Sequence, residues 1–219
     1  TGYRMKSKTT LTSLKEKERE VRKNLIIDAA EHVFSSKPFD KVSMRDIARE
    51  AGMATSSIYT YFPDQQSLFV EATLRDGNVL VDILTEKIEG KGPAPEVSDI
   101  ITTFIDFLND HDAYFRMMTH FMLHGNLTEE STSQINEMMR RILDLFDTAL
   151  ANSAHEKSRR RLSHYLFAAL NGIIITFRKY PGRKEEEVLK HMKDIGKIVG
   201  DMISSYPPKK HVKKNNREV

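Results

Sequence analysis

Ser43-Met44-Arg45-Asp46-Ile47-Ala48-Arg49-Glu50-Ala51-Gly52-Met53-Ala54-Thr55-Ser56-Ser57-Ile58-Tyr59-Thr60-Tyr61-Phe62 is the stretch on which the fold turns. Ser43 followed three residues later by Asp46 is a capping-box pattern: the hydroxyl can accept from the Asp46 amide while the carboxylate reaches back to the amide of Ser43. A short helix is expected to open here and run to about Ala51, with Ile47, Ala48 and Ala51 turned inward. Gly52 then permits a sharp turn, because a residue without a β-carbon takes a positive φ at no steric cost. A second short helix is expected from about Thr55 to Tyr61. Pro63-Asp64 stops it, and Asp64 is placed to cap the helix that follows.

Outward from this stretch the pattern stays helical. Upstream, Ile26, Ala30, Val33 and Phe34 fall at +4, +7 and +8 and form one apolar stripe, in a helix expected to start at Lys15 and stop near Pro38. Residues 5 to 15, with Lys6, Lys8, Thr9, Thr10 and Thr12, are expected to form a loose arm. Downstream, a long helix is expected from Asp64 through Leu68, Ala72, Val79 and Ile83 toward Ile88. Gly90-Lys91-Gly92-Pro93-Ala94-Pro95 reads as a linker. Further helices are expected at about 96 to 110, 112 to 124, 128 to 152, 156 to 180 and 184 to 205. No stretch sustains the alternation of a strand, so the fold class is all-α. The expected organisation is a flexible basic arm at 1–20, a three-helix domain at 21–67, a larger helical domain at 68–206, and a disordered basic tail at 207–219.

Composition narrows the class. The chain has 219 residues, 39% of them hydrophobic, enough to bury a substantial core. It has no cysteine, which removes disulfides, thiolate zinc sites and cysteine nucleophiles and fits a reducing compartment. No apolar run reaches the length of a membrane span and no secretion signal is readable, so a cytoplasmic protein without membrane contact is expected. The net charge of +3 hides an uneven distribution: residues 1 to 75 carry 13 Lys/Arg against 10 Asp/Glu, residues 76 to 206 carry 16 against 20, and residues 207 to 219 carry 5 against 1. Basic ends around a slightly acidic middle are compatible with phosphate binding. No glycine-rich phosphate loop and no nucleophile elbow is present, so neither an enzyme nor a cofactor is expected. His120 and His124 share a helix face at i, i+4, but the residues between them lack the glutamate of a zinc protease, so no metal site is expected.

Two short helices joined by a glycine turn and backed by a longer helix have the layout of a helix-turn-helix unit, whose second helix enters a major groove. The residues from Ser43 to Phe62 closely resemble the signature of the TetR family: a hydroxyl residue, four positions later isoleucine-alanine, then alanine-glycine, and a short helix ending in tyrosine, x, x, phenylalanine. Ile26 to Phe34 is similar to that family's first helix. The resemblance covers about residues 22 to 70.

It implies a homodimeric regulator of transcription, with double-stranded operator DNA as partner, acting as a repressor released by a small apolar or amphipathic effector. An activator, or a regulator that needs no ligand, is the alternative within that class; a helical adaptor without DNA would leave the signature unexplained. Ile47, Ala48, Ala51, Ile58 and Phe62 correspond to the packed core. Arg45, Thr55, Ser56, Ser57, Tyr59, Thr60 and Tyr61 correspond to the DNA-facing positions, with hydroxyls and an arginine that can reach bases or phosphates. The chain departs from the family in three places. Ala54 stands where serine commonly caps the second helix, leaving Thr55 as the available hydroxyl; Ser56 stands where glycine is common; and Gln65-Gln66 stand where a phosphate-binding lysine is familiar. The resemblance also implies dimerisation through the last two long helices, for which Leu166, Leu170, Ile173, Phe177, Ile195, Val199 and Met202 are the candidates. Phe107, Met118, Phe121, Met122, Phe146 and Phe167, with Asn171 as a polar contact, are candidates for an adaptable effector site.

Overall fold

The computed structural model describes residues 2–90, 95–124, 127–151 and 156–205, with side chains for all of these except 2–10, 156 and 157. Every regular element among them is helical: α1 (Gly2–Ser36), a 3₁₀ turn (Phe39–Lys41), α2 (Met44–Glu50), α3 (Thr55–Tyr59), α4 (Gln65–Glu89), α5 (Val97–Asp110), α6 (Asp112–His124), α7 (Glu129–Ala149), α8 (Glu156–Phe177) and α9 (Glu185–Ser204). The basic tail, most of the linker at 91–94 and the breaks expected at Gly125-Asn126 and at 152–155 lie outside the described residues.

The chain packs as two compact units. The first comprises the residues up to Val79 together with Asp110–Met138, the second Leu80–Asn109 together with Met139 onward. The division therefore does not fall between residues 67 and 68, as expected from the sequence: α6 belongs with the N-terminal helices. Its buried Met117 and Met118 supply apolar surface to that unit, it packs on α1, and the Arg116 guanidinium donates to the Ser35 carbonyl at 2.8 Å.

In the first unit, Ile26, Ile27, Ala30, Val33 and Phe34 of α1 are buried with Ile47 and Ala48 of α2, Ile58 of α3, Phe62, and Leu68, Phe69 and Ala72 of α4. Removing that apolar area from water is the main force holding three short elements in place. Ion pairs fix how α1 lies along α4: Arg75 meets Asp28 at 2.7 Å and Glu31 at 2.6 Å, and Lys23 meets Glu71 at 2.5 Å. Burial lifts the Glu31 carboxyl to about 7 although the Arg75 guanidinium faces it. Burial also raises Asp76 and the fully enclosed Tyr114 hydroxyl.

The expected loose arm is instead the first part of α1, which runs unbroken from Gly2. Lys15 to Arg22 are mostly good helix formers with a Glu18–Arg22 pair at 2.8 Å, so a helix anchored by the packed stripe from Ile26 onward extends toward the N-terminus. Residues 11 to 22 are exposed along it.

The second unit is built on long helices. Ile100, Ile101, Phe104 and Ile105 of α5, Ile142 and Phe146 of α7, Leu162, Leu166, Leu170 and Ile174 of α8, and Val188, Met192 and Ile203 of α9 form its core. Two glycines let α9 close on α5: a Cβ at Gly196 would stand 2.8 Å from Ile101 Cγ2, and one at Gly200 would stand 2.5 Å from Ile101 Cδ1.

Candidate nucleic-acid interface

The reading head is set by hydrogen bonds at each helix end. At the start of α2 the capping box is complete: the Asp46 amide donates to Ser43 Oγ at 3.2 Å, and the Ser43 amide donates to Asp46 Oδ2 at 3.1 Å. The Asp46 carboxylate also takes the Ser43 hydroxyl at 2.8 Å, Lys37 Nζ at 3.1 Å and Arg49 at 2.6 Å. These donors, the Ser43 hydrogen bond first and Lys37 next, hold its pKa down to about 2. At the other end Gly52 sits at φ 63°, the Gly52 amide donates to the Arg49 carbonyl at 3.2 Å and the Met53 amide to the Ala48 carbonyl at 2.9 Å. That pair of bonds is a Schellman motif, and it reverses the chain within three residues.

α3 opens without a side-chain cap. Ala54 occupies the capping position at φ −68° and ψ 141°, and no side-chain hydrogen bond is made there. Thr55 is already the first helical residue, so the expected substitution of Thr55 for the missing serine does not occur. A two-residue turn leaves no room for the helix to begin one position later. α3 is held instead from inside by Ile58 and Phe62.

This anchoring decides what faces outward. Ile58 is fully buried, whereas Ser56, Tyr59 and Thr60 are exposed, with Tyr59 showing 52% of its surface; Thr55, Ser57 and Tyr61 are half-buried at the edges of that face. Thr60 Oγ1 donates to the Ser56 carbonyl at 3.3 Å, a bond weak enough to exchange. Arg45 projects from α2 into solvent and pairs with no carboxylate among the described residues. All seven candidate contact residues thus lie on α2, on α3 or just after it, and none is a core residue. The arrangement offers hydroxyls and a phenol edge on and just after α3 and a guanidinium on α2, the chemistry that meets phosphates and base edges.

Behind α3, α4 begins with a second reciprocal cap: the Ser67 amide donates to Asp64 Oδ1 at 2.7 Å and the Asp64 amide to Ser67 Oγ at 3.4 Å. Gln65, standing where a lysine is familiar, donates its amide to the Phe39 carbonyl at 2.9 Å and ties α4 to the 3₁₀ turn. Lys37 and Phe39 escaped the sequence analysis as functional positions, because Pro38 reads there only as a helix stop.

The other candidates divide differently. Phe146 and Phe167 meet Phe104, with ring centroids 5.5 and 6.0 Å from Phe104, and Phe107 is buried in the same unit. Asn171 spends its amide on the Phe167 carbonyl at 2.8 Å, one turn back, so it is a helix-bound group. Met118 and Phe121 belong to the first unit, as does Met122, which is exposed and so not part of an interior. Of the expected dimer residues, Leu166 and Leu170 have no exposed surface and Ile173 has 7%, so their side chains are spent on the core of their own subunit. Phe177, Ile195 and Val199 are half-buried and Met202 is exposed. Among the described residues no cluster of three or more His, Asp or Glu side chains could hold a metal ion, and no helix is long and apolar enough to cross a membrane.

Comparison with known proteins agrees with this geometry. The sequence profile of the bacterial regulatory proteins of the tetR family matches residues 26–72. An uncharacterized HTH-type transcriptional regulator of Haemophilus influenzae is 30% identical over 105 residues, 46% of this chain and 50% of that protein. A fatty acid metabolism regulator protein of Bacillus subtilis is 27% identical over 128 residues, 57% of this chain; the chain therefore spans 50% and 64% of the lengths of these two curated relatives. In three dimensions the crystal structure of the transcriptional regulator FadR from Bacillus subtilis in complex with stearoyl-CoA superposes with a TM-score of 0.66 at 18% identity, over 83% of this chain and 97% of that one. The profile falls on the capped two-helix head, where residues 26–72 are similar to the bacterial regulatory proteins of the tetR family, and the fold likeness extends along most of the chain.

Proposed function

We propose that the chain is a sequence-specific DNA-binding regulator of transcription, working in the cytoplasm as a homodimer and assigned no catalytic step. The observation that carries this reading is the face of α3: a helix anchored by Ile58 and Phe62 that turns Ser56, Tyr59 and Thr60 to solvent, with Arg45 beside it. Selection of bound sequences from a random double-stranded pool tests it. Enrichment of a two-fold symmetric site is expected, with half-sites about one helical turn (~34 Å) or a multiple apart; recovery of the pool unchanged would refute it.

The dimer proposed here uses the outward side of α8 and α9 rather than the buried stripe. Tyr165, Ala168, Gly172 and Ile175 recur at spacings of three and four on α8 and are exposed, and Ile198 and Met202 are exposed on α9. Gly172 supports the choice. A mid-helix glycine costs about 1 kcal/mol relative to alanine, yet a Cβ there would meet nothing within 4 Å of its own chain. A close approach by a second helix gives that glycine a purpose.

The effector proposed is apolar or amphipathic and acts to release DNA. Support comes from the Phe104–Phe146–Phe167 cluster of the second unit and from the stearoyl-CoA found in the Bacillus subtilis regulator. The three rings touch one another, so a guest entering there must part them, and such a guest binds only as well as it repays that separation. α4 is one continuous helix with Gln65 to Val79 in the first unit and Leu80 to Glu89 in the second, which makes it the proposed lever.

A further inference from the structure

A cavity of about 570 Å³ opens in the first unit, among the end of α1, the 3₁₀ turn, the start of α4 and α6. We infer that it is a binding site for a flat aromatic carboxylate, or an amphipathic organic anion of that kind, distinct in its residues from the effector position proposed in the other unit and independent of the DNA-binding reading.

Its floor is aromatic. Phe34, Phe39 and Phe69 meet with centroids 5.6, 5.5 and 4.8 Å apart, and Phe39 is only half-buried, leaving part of a ring face toward the cavity. His120 lies 4.6 Å from Phe39 at 32°, and His124 stacks on His120 at 4.4 Å and 22°. Phe39, His120 and His124 form a run of rings inclined by 32° and 22°, a surface that a fourth flat ring can extend. Burial, with His124 beside it, lowers the basicity of His120.

Its walls favour negative charge. Lys37 and Arg116 line it against one carboxylate, Asp40. Each cation already has a partner: Lys37 holds Asp46 at 3.1 Å, and Arg116 meets Asp112 at 3.4 Å while donating to the Ser35 carbonyl at 2.8 Å. Asp46 and Asp112 stand outside the cavity lining, and a long, solvent-screened pair such as Arg116–Asp112 holds its guanidinium weakly. A carboxylate in the cavity can therefore share both cations. A bare inorganic anion would leave the aromatic floor unused, and a neutral arene would leave the cations unused. This selects a ligand with both parts. The second cavity, in the other unit, is lined by Phe177, Tyr180, Arg183, Lys190 and His191 and is the rival location for such a ligand.

The test is a titration of the full chain with 2-naphthoate, followed by the probe's own emission, since the protein has no tryptophan. Saturable binding of one probe per chain is expected, with a dissociation constant below about 1 mM. Lys37→Gln combined with Arg116→Gln should weaken it at least about tenfold, the uncharged 2-naphthylmethanol should bind at least about tenfold more weakly to the wild type, and Arg183→Gln with Lys190→Gln should change nothing. Lys37→Gln also frees Asp46, so circular dichroism accompanies each variant. If the double variant is not folded, Arg116→Gln alone decides, with at least about threefold weaker binding expected. Absence of saturable binding, indifference to the Arg116 change in a folded variant, equal binding of the alcohol, or loss of binding through the Arg183 and Lys190 changes would each overturn the assignment.

Discussion

The α2–turn–α3 head and the α8–α9 pair set their geometry in different ways. The head consists of two helices of 7 and 5 residues, too short to be stable alone; burial of Ile47, Ala48, Ile58 and Phe62 holds them to the unit, and named hydrogen bonds set their ends: a capping box, a Schellman motif at Gly52 and a reciprocal cap on α4. The α8–α9 pair has 22 and 20 residues, and its shape comes from apolar side chains packed along one face of each helix. In the head a single atom out of place alters one bond and the reading surface moves with it. In the pair, many contacts average out, and what matters is which face of a helix a residue occupies. The head can therefore expose its polar side chains with a defined geometry, while the pair can offer a second apolar face without losing its core.

The contrast is sharpest between two isoleucines two residues apart. Ile173→Glu would place a carboxylate in the core of the second unit and should cost about 3 to 5 kcal/mol, seen as loss of the folded chain in thermal melts. Ile175→Glu changes a side chain that is 57% exposed and should leave the chain folded, with an unchanged helical circular-dichroism spectrum at about 25 °C and only the stabilisation that dimerisation supplies lost on melting. The same variant should sediment as a monomer at micromolar concentration. A folded Ile173→Glu dimer, or an Ile175→Glu dimer as tight as wild type, would reverse the assignment of the two faces.

Next in size is the turn. Gly52→Ala adds a Cβ that meets no neighbouring atom within 4 Å, so its effect is backbone strain at φ 63°, about 1 to 2 kcal/mol in chemical denaturation. A neutral result would show that the head tolerates a different turn. Smaller again is Ser43→Ala, which removes one cap and should lower the melting temperature by about 2 to 4 °C. It should also change how stability depends on pH. With the Asp46 pKa lowered to about 2 in the fold, its contribution is fully present above the ordinary carboxylate range near 4 and is lost as pH falls through about 2. In Ser43→Ala the acid loss should be smaller and complete at higher pH, because the Ser43 hydroxyl that donates to Asp46 is gone; an unchanged acid profile would count against the capping box as the cause.

The same contrast explains what could be foreseen. Ser43, Asp46, Gly52 and Asp64 each announce one bond or one dihedral angle, and each stands as expected in the structure. The limits of α6, residues 112 to 124, follow from Asp112 and the break after His124 in the same local way. Packing partners were harder to foresee. α8 carries two apolar stripes, one through Leu162, Leu166, Leu170 and Ile173 and one through Tyr165, Ala168, Gly172 and Ile175. Periodicity says nothing of which stripe meets its own chain; the more hydrophobic one wins the core because it buries more apolar area. Met122 reads as part of an adaptable interior but is exposed on the last turn of α6. The helix at the start of the chain was hidden for another reason: Thr9, Thr10 and Thr12 weaken local propensity, and its continuity with the anchored part of α1 is a cooperative effect that no short window shows.

The central claim is that the exposed side of α3 reads DNA. It is tested most directly by fluorescence anisotropy of the selected site with wild type and with a Ser56→Ala, Tyr59→Ala, Thr60→Ala variant, each checked for an unchanged melting temperature. Affinity for the selected site is expected to fall at least about 100-fold, while the weak, salt-sensitive binding to random DNA is nearly retained. Equal affinity of the two proteins for the selected site would contradict the claim.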